Sequence, residues 1–165
     1  MKKFLTYLCL FLFITPFLGA QNVATNPISN DLSNVERQRM PQLNNQALYD
    51  QEMKNRKAGE LPHFAHKFEV EWDANEHGTW EYTQENLAVW RLRISSVEAK
   101  SLNFGFSQFV LPSEAKLILY TADFKDLVGP LTSADNKPHE RLWTPIVLGD
   151  DVVSQRVQSH RKWYL

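Results

Sequence analysis

Ala88-Val89-Trp90-Arg91-Leu92-Arg93-Ile94, residues 88–94, sets Ala88, Trp90, Leu92 and Ile94 on alternate positions, with Val89, Arg91 and Arg93 between them. Successive strand side chains point to opposite faces, so the pattern predicts a half-buried β-strand whose second face carries Arg91 and Arg93 into solvent. The same period occurs upstream, where Phe64, His66, Phe68, Val70 and Trp72 alternate with Ala65, Lys67, Glu69 and Glu71. His77-Gly78 turns the chain into Thr79-Trp80-Glu81-Tyr82, and Glu85-Asn86 precedes the quoted stretch. Downstream, Ser101 to Val110, Ala115 to Tyr120, Leu142 to Val147 and Asp151 to Val153 read as further strands, with Asp135-Asn136-Lys137-Pro138 as a turn. Short strands between turn signals, without crossover helices, predict an all-β domain over residues 62–153: an antiparallel β-sandwich, jelly-roll-like. Its expected core is Trp80, Trp90, Trp143, Leu92, Ile94, Phe104, Phe106 and Leu117.

Ahead of these strands, residues 21–61 are polar and amide-rich, a composition that cannot by itself bury enough surface to offset its ordering entropy. One short amphipathic helix is expected there, from the near-helical spacing of Leu43, Ala47, Tyr49 and Met53. Asn44 or Asn45 would cap its start, and Gly59 with Pro62 would stop it. We read 21–61 as a pro-segment whose helix lies on another surface. Residues 1–20 carry Lys2-Lys3, an apolar run from Phe4 to Leu18 and Leu18-Gly19-Ala20, the anatomy of a secretory signal peptide. That run is proline-broken at Pro16 and shorter than the roughly 20 apolar residues of a membrane span. A secreted or periplasmic chain, free of the membrane after cleavage, is therefore expected.

The C-terminal stretch 154–165, Ser-Gln-Arg-Val-Gln-Ser-His-Arg-Lys-Trp-Tyr-Leu, has three Lys or Arg residues, no acid and no clean alternation. It reads as an aberrant basic tail, the product of a broken reading frame that cuts the last strand after Val153. A basic tail that contacts a partner is the alternative.

The full chain of 165 residues carries 18 Lys and Arg against 19 Asp and Glu, and loss of the leader lysines makes it more acidic. No basic face for nucleic acid is visible. Cys9, the one cysteine, lies in the leader, so the processed chain has no disulfide and no thiol chemistry. Gly105-Phe106-Ser107-Gln108-Phe109 matches a nucleophile elbow at four positions, but the fifth is Phe109 and strand signals continue on both sides, so Ser107 reads as a strand serine. His63 and His66 have a helical metal-ligand spacing in a stretch that reads as a strand, where they would face opposite ways; His66 then packs with its ring satisfied. Asp123, Asp126, Asp150 and Asp151 lack the dense oxygen-ligand pattern of a calcium loop and read as solvated turn carboxylates. Trp72, Trp80, Trp90 and Trp143 read first as core and second as a platform for sugar or peptide. No residue is assigned to catalysis, to a cofactor or to a metal.

Longer strings carry a family signal. Gly78-Thr79-Trp80, Val89-Trp90-Arg91-Leu92-Arg93-Ile94, Ala99-Lys100-Ser101-Leu102-Asn103-Phe104-Gly105-Phe106, Leu111-Pro112 and Ala115-Lys116-Leu117 occur in that order. Leu119-Tyr120-Thr121, Gly129-Pro130-Leu131-Thr132, Asp135-Asn136, Leu142-Trp143-Thr144-Pro145-Ile146-Val147 and Gly149-Asp150-Asp151 follow. Together, over about residues 41–153, they resemble the amino-terminal non-catalytic region of secreted bacterial lysyl-endopeptidase-like serine proteases. The resemblance implies a β-rich pro-region ahead of a chymotrypsin-like domain that cleaves after lysine. Neither an Ala-Ala-His-Cys string nor a Gly-Asp-Ser-Gly-Gly loop occurs here, so no catalytic residue of that family transfers to this chain. The resemblance implies a truncated, non-enzymatic fragment whose partner is the cognate catalytic domain. A free-standing secreted module that binds carbohydrate or peptide is the alternative function, and a small hydrolase the third, for which no nucleophile and base pair up.

Overall fold

Val152, Val153, Ser154, Gln155 and Val157 are all buried, on a strand that is bonded along both edges. This computed structural model describes residues 26–160, so the expected leader lies outside them. In chain order the elements are β1 Arg37–Arg39, α1 Asn45–Lys57, β2 Thr79–Tyr82, β3 Leu87–Ser95, β4 Gly105–Phe106, β5 Lys116–Thr121, β6 Leu127–Leu131, β7 Leu142–Trp143 and β8 Asp151–Ser159. The chain is β-rich, with a six-stranded sheet in the order β1-β3-β8-β5-β6, β2 also pairing with β3, and a two-stranded sheet of β4 and β7. The large sheet is mixed, because β1 runs parallel to β3 while the other pairs are antiparallel.

The centre of this sheet corrects the expected end of the domain. The last strand does not stop at Val153: it runs to Ser159, pairing with β3 from Ser95↔Asp151 to Leu87↔Ser159 and with β5 from Thr121↔Val152 to Lys116↔Val157. The His160 N–H then donates to the Asn86 carbonyl at 2.7 Å, so residues 154–160 are no appended tail. Clean alternation is missing because a strand covered on both faces has no solvent side to mark with polar residues. Residues 161–165, the rest of the expected tail, lie outside the described residues.

One sheet face carries Val89 and Arg91 of β3, Val153, Gln155 and Val157 of β8, and Ile118 and Tyr120 of β5. Residues 26–36 lie across it: Ile28 packs against Leu87, Val89 and Val157, and Leu32 against Ile118, Tyr120 and Val153. The opposite face carries Trp90, Leu92 and Ile94 beneath Met40, Trp72, Ala74, Trp80 and Phe104, with Leu117 beneath Phe109, Phe106 and Leu142. The 26–40 part of the expected pro-segment is thus built into the domain, through buried Val35 and the three-residue β1 ladder.

Other expectations change in detail. Residues 64–72 form no strand and pair with no edge of the sheet, and Phe64 stands 88% exposed. The Ser101 to Val110 expectation reduces to the β4 pair and one bridge, Leu102↔Val147. Strands β1 and β6 were not foreseen. Asn44 does cap α1, its side chain accepting the Ala47 N–H at 2.9 Å, yet no residue of this helix is buried. Gly78, at φ +88°, makes the turn into β2, where an added Cβ would strike the Trp90 indole.

Deleting residues after Val153 removes most of the central strand and should abolish folding. Circular dichroism and amide dispersion check this: a chain ending at Val153 that keeps a native spectrum would contradict β8 as the centre.

Candidate functional site

The main polar concentration is on the strap-covered face, and it begins with a hairpin. β2 and β3 pair with Glu81 opposite Val89, which leaves Arg91 diagonal to Glu81 on the same face. Arg91 is 3% exposed, and its Nη2 donates to Glu81 Oε1 at 2.7 Å and Oε2 at 2.8 Å. Its Nη1 donates to the Asp31 carbonyl of the strap at 3.1 Å. The expected solvated face is corrected: residues 26–36 cover it, and Glu81 offsets the guanidinium charge through Nη2, while the buried Arg91 Nε has no hydrogen-bond partner among the described residues.

Gln155, fully buried opposite Arg91, ties the strap to the sheet a second time. Its Nε2 donates to the Asn26 carbonyl at 3.2 Å, and its Oε1 accepts the Ile28 N–H at 3.2 Å and the Tyr120 hydroxyl at 3.4 Å. Burial pushes the Tyr120 phenol above its ordinary pKa, with Arg91 pulling the other way, so Tyr120 serves as a neutral donor. A third tie is Glu36, whose Oε2 accepts the Gly78 N–H at 2.7 Å while its own N–H donates to Thr79 Oγ1 at 2.9 Å.

Arg93, the other expected surface arginine, grips Asp151 through Nε at 2.8 Å and Nη2 at 2.7 Å, and Arg37 of β1 reaches the same carboxylate at 2.8 Å. This hydrogen bonding raises the Arg93 pKa against the opposing effect of burial. Asp151 is therefore an internal ion-pair partner, not a free turn carboxylate. Asp126 likewise accepts the Leu148 N–H at 2.7 Å. Asp123 pairs with Lys125 at 2.8 Å, and hydrogen bonds from Lys125 and Thr121 hold its carboxyl down to about 2.

The remaining candidates stay apart. Ser107 is exposed just after β4, and no helix follows it. His63 and His66 are both exposed; His63 lies 3.8 Å from Glu52, and His66 touches only the edge of Phe68 among aromatic rings, which corrects its expected packing. Among the described residues no group of three or more His, Cys, Asp or Glu is placed to hold a metal. Trp90 is buried and its Nε1 donates to the His77 carbonyl at 2.7 Å, while Trp80 donates to the Ala74 carbonyl at 2.8 Å. Trp143 departs from the expected core: it is 64% exposed, its ring lying over Gly105. Phe104 and Phe106 are only partly buried, whereas Leu92, Ile94 and Leu117 are fully in the core.

Large apolar side chains are also exposed on the arm between β1 and β2. Leu48, Tyr49 and Met53 of α1 and Leu61, Phe64 and Val70 beyond it all face solvent. The helix that the sequence assigns to a covering role buries none of its residues, and it meets the domain through Asn45, whose Nδ2 donates to the Glu98 carbonyl at 3.4 Å.

Sequence reasoning missed Gln155 and the Arg91–Glu81 pair. The available signal was the hairpin around Thr83 to Asn86, whose register sets Glu81 opposite Val89 and so on the face that Arg91 shares. No family model matches the chain, and no solved structure matches it.

Glu81→Ala should destabilise the fold by about 2–3 kcal/mol, below the roughly 3–5 kcal/mol of a fully buried pair because Glu81 stays partly hydrated. Urea unfolding checks this. In a carboxyl NMR titration Asp123 should have its midpoint near 2. Its depressed pKa means that its contribution to stability is full above the ordinary value of 3.8 and is lost as pH falls toward 2.

Proposed function

We propose that this chain is the non-catalytic pro-region or accessory domain of a secreted lysyl-endopeptidase-like serine protease, and that it acts by docking on the catalytic domain. The observation that carries the reading is the arm, where Leu48, Tyr49, Met53, Leu61 and Phe64 are exposed beside a domain that already has its own core. Clustered exposed apolar residues mark interaction surfaces. The ordered family strings quoted above, from Gly78-Thr79-Trp80 to Gly149-Asp150-Asp151, supply the identity of the partner. We read the fold as a jelly-roll-like sandwich, with β4, β7 and the Leu102↔Val147 bridge as the second layer over the Trp90 face. The signal peptide and secretion or periplasmic export belong to the same proposal.

The tryptophans separate this from the carbohydrate- or peptide-binding module. A flat binding platform needs at least two coplanar exposed rings, and among Trp72, Trp80, Trp90 and Trp143 only Trp143 is largely exposed. Hydrolysis by the chain itself requires a nucleophile, a base and an oxyanion hole in one place. Ser107 has the wrong backbone setting for that role.

The chain should not hydrolyse lysyl esters or amides, and no serine should react with a fluorophosphonate probe. Mixed with a chymotrypsin-like, lysine-specific catalytic domain, it should elute as a complex and change that domain's activity or refolding yield. Tyr49→Asp with Phe64→Asp should remove the complex without changing the melting temperature, since both side chains are exposed. Absence of a complex, together with polysaccharide or peptide binding that Trp143→Ala abolishes, would establish the binding module instead.

A further inference from the structure

The stretch 60–72 has no helix or strand, and among the described residues no backbone–backbone hydrogen bond joins residues 61–72 to the rest. Ten of those twelve residues are exposed, Phe68 and Trp72 being partly buried, and Leu61 to Lys67 are exposed without interruption. Lys67 is 66% exposed on its side chain and pairs only with Glu69, itself 81% exposed, a contact that solvent screens. Local proteolysis requires a segment that can be drawn into the enzyme as an extended strand without first breaking a ladder. We propose that the Lys67–Phe68 bond is a processing site for a lysine- or arginine-directed serine endopeptidase, and that the cleaved chain persists as a two-fragment protein.

The other described basic residues lie in or directly beside paired backbone: Lys100 is exposed but sits between the Ala99 N–H bond to the Ser96 carbonyl at 3.0 Å and the Leu102↔Val147 bridge, and Arg141 is exposed but its N–H donates to His139 Nδ1 at 3.1 Å next to the Leu142↔Phe106 pair. Lys54, Arg56 and Lys57 lie in α1. The Lys125 N–H is held by Thr121 Oγ1 at 3.0 Å, and the Lys137 carbonyl accepts the Glu140 N–H at 2.9 Å. Hydrolysis at Lys67 breaks its carbonyl carbon–nitrogen bond to Phe68 and consumes one water, whose hydroxyl completes the Lys67 carboxylate while a proton completes the new Phe68 amine.

The fragments stay together because every tie described above lies away from the cut. The first keeps the β1 ladder to β3, the Met40 N–H bond to the Ser95 carbonyl at 2.8 Å, the Glu36 bonds and the packing of Val35, Ile28 and Leu32. The second keeps β2 to β8, with Gln155 and Arg91 still gripping the strap. Cleavage therefore frees one end of the arm but leaves the sheet assembled. This inference does not rest on the proposed partner, and bovine-type trypsin serves as the probe.

The experiment is limited trypsinolysis of the full chain, with mass spectrometry of the first products and size-exclusion chromatography of the mixture. The expected first internal cut is after Lys67, with both fragments eluting together and separating only in denaturant. Lys67→Gln should slow the first internal cleavage by about 100-fold, because cleavage elsewhere then waits for a rarer opening. Its melting temperature should match that of the parent, which separates lost cleavage from altered folding. A first internal cut at another residue, fragments that part without denaturant, or an unchanged rate for Lys67→Gln would overturn the proposal.

Discussion

The rest of the molecule depends on β8 being paired along both edges and covered on both faces. Its nine residues bond to β3 on one side and, over six of them, to β5 on the other. Each neighbour therefore places its side chains by register to this strand, and the two halves of the core sit on its two faces. Val153 and Val157 point toward the strap while Val152 points toward Val147 and Leu119. A last strand in the centre also makes the pairing non-local, since β3 lies far back in the sequence, with β4 to β7 between the two. Such contacts carry a large loop-closure cost that only cooperative burial of the whole sheet offsets.

The strap is the second consequence. A sheet buried on both faces requires a cover, and residues 26–36 provide one using little apolar material: Ile28, Leu32 and Val35. The remaining contact is polar, through Gln155, Arg91 and Glu36. Gln155 and Arg91 are desolvated against backbone groups of the strap, and Glu36 of the strap reaches back to the Gly78 N–H. Hydrogen bonds of this kind specify the path of the strap more than they stabilise it, since a single neutral bond contributes only about 1 kcal/mol net. The arm that follows is held only at its two ends, by Asn45 to the Glu98 carbonyl and by Trp72 and Ala74 on the Trp90 face, and the apolar side chains between them remain exposed.

Much of the local structure was legible. The Asn44 cap, the His77-Gly78 turn, β2, β3 and β5 follow from residue type and spacing that act over a few positions. The candidate chemistry was legible only in part. The reading of His63 and His66 as opposite-facing rested on a strand that does not form, so their exposure was decided by the tertiary structure. Arg91 and Gln155 were not readable, because a charged or amide residue on an alternate position looks the same whether water or a strap covers it.

Residues 64–72 and 151–159 mark the boundary between the two kinds of information. The first has the better alternation and forms no strand; the second has the worse alternation and forms the central one. Sequence by itself determined a β-rich chain, a capped helix, the turn glycine and an apolar inventory large enough for a core. Tertiary structure alone decided which segments found an edge to pair with, which faces were covered, and that Trp143 and the arm would face outward while Arg91 went inside. The physical reason is that a strand's hydrogen bonds and burial come from distant parts of the chain, so no local pattern contains its partner.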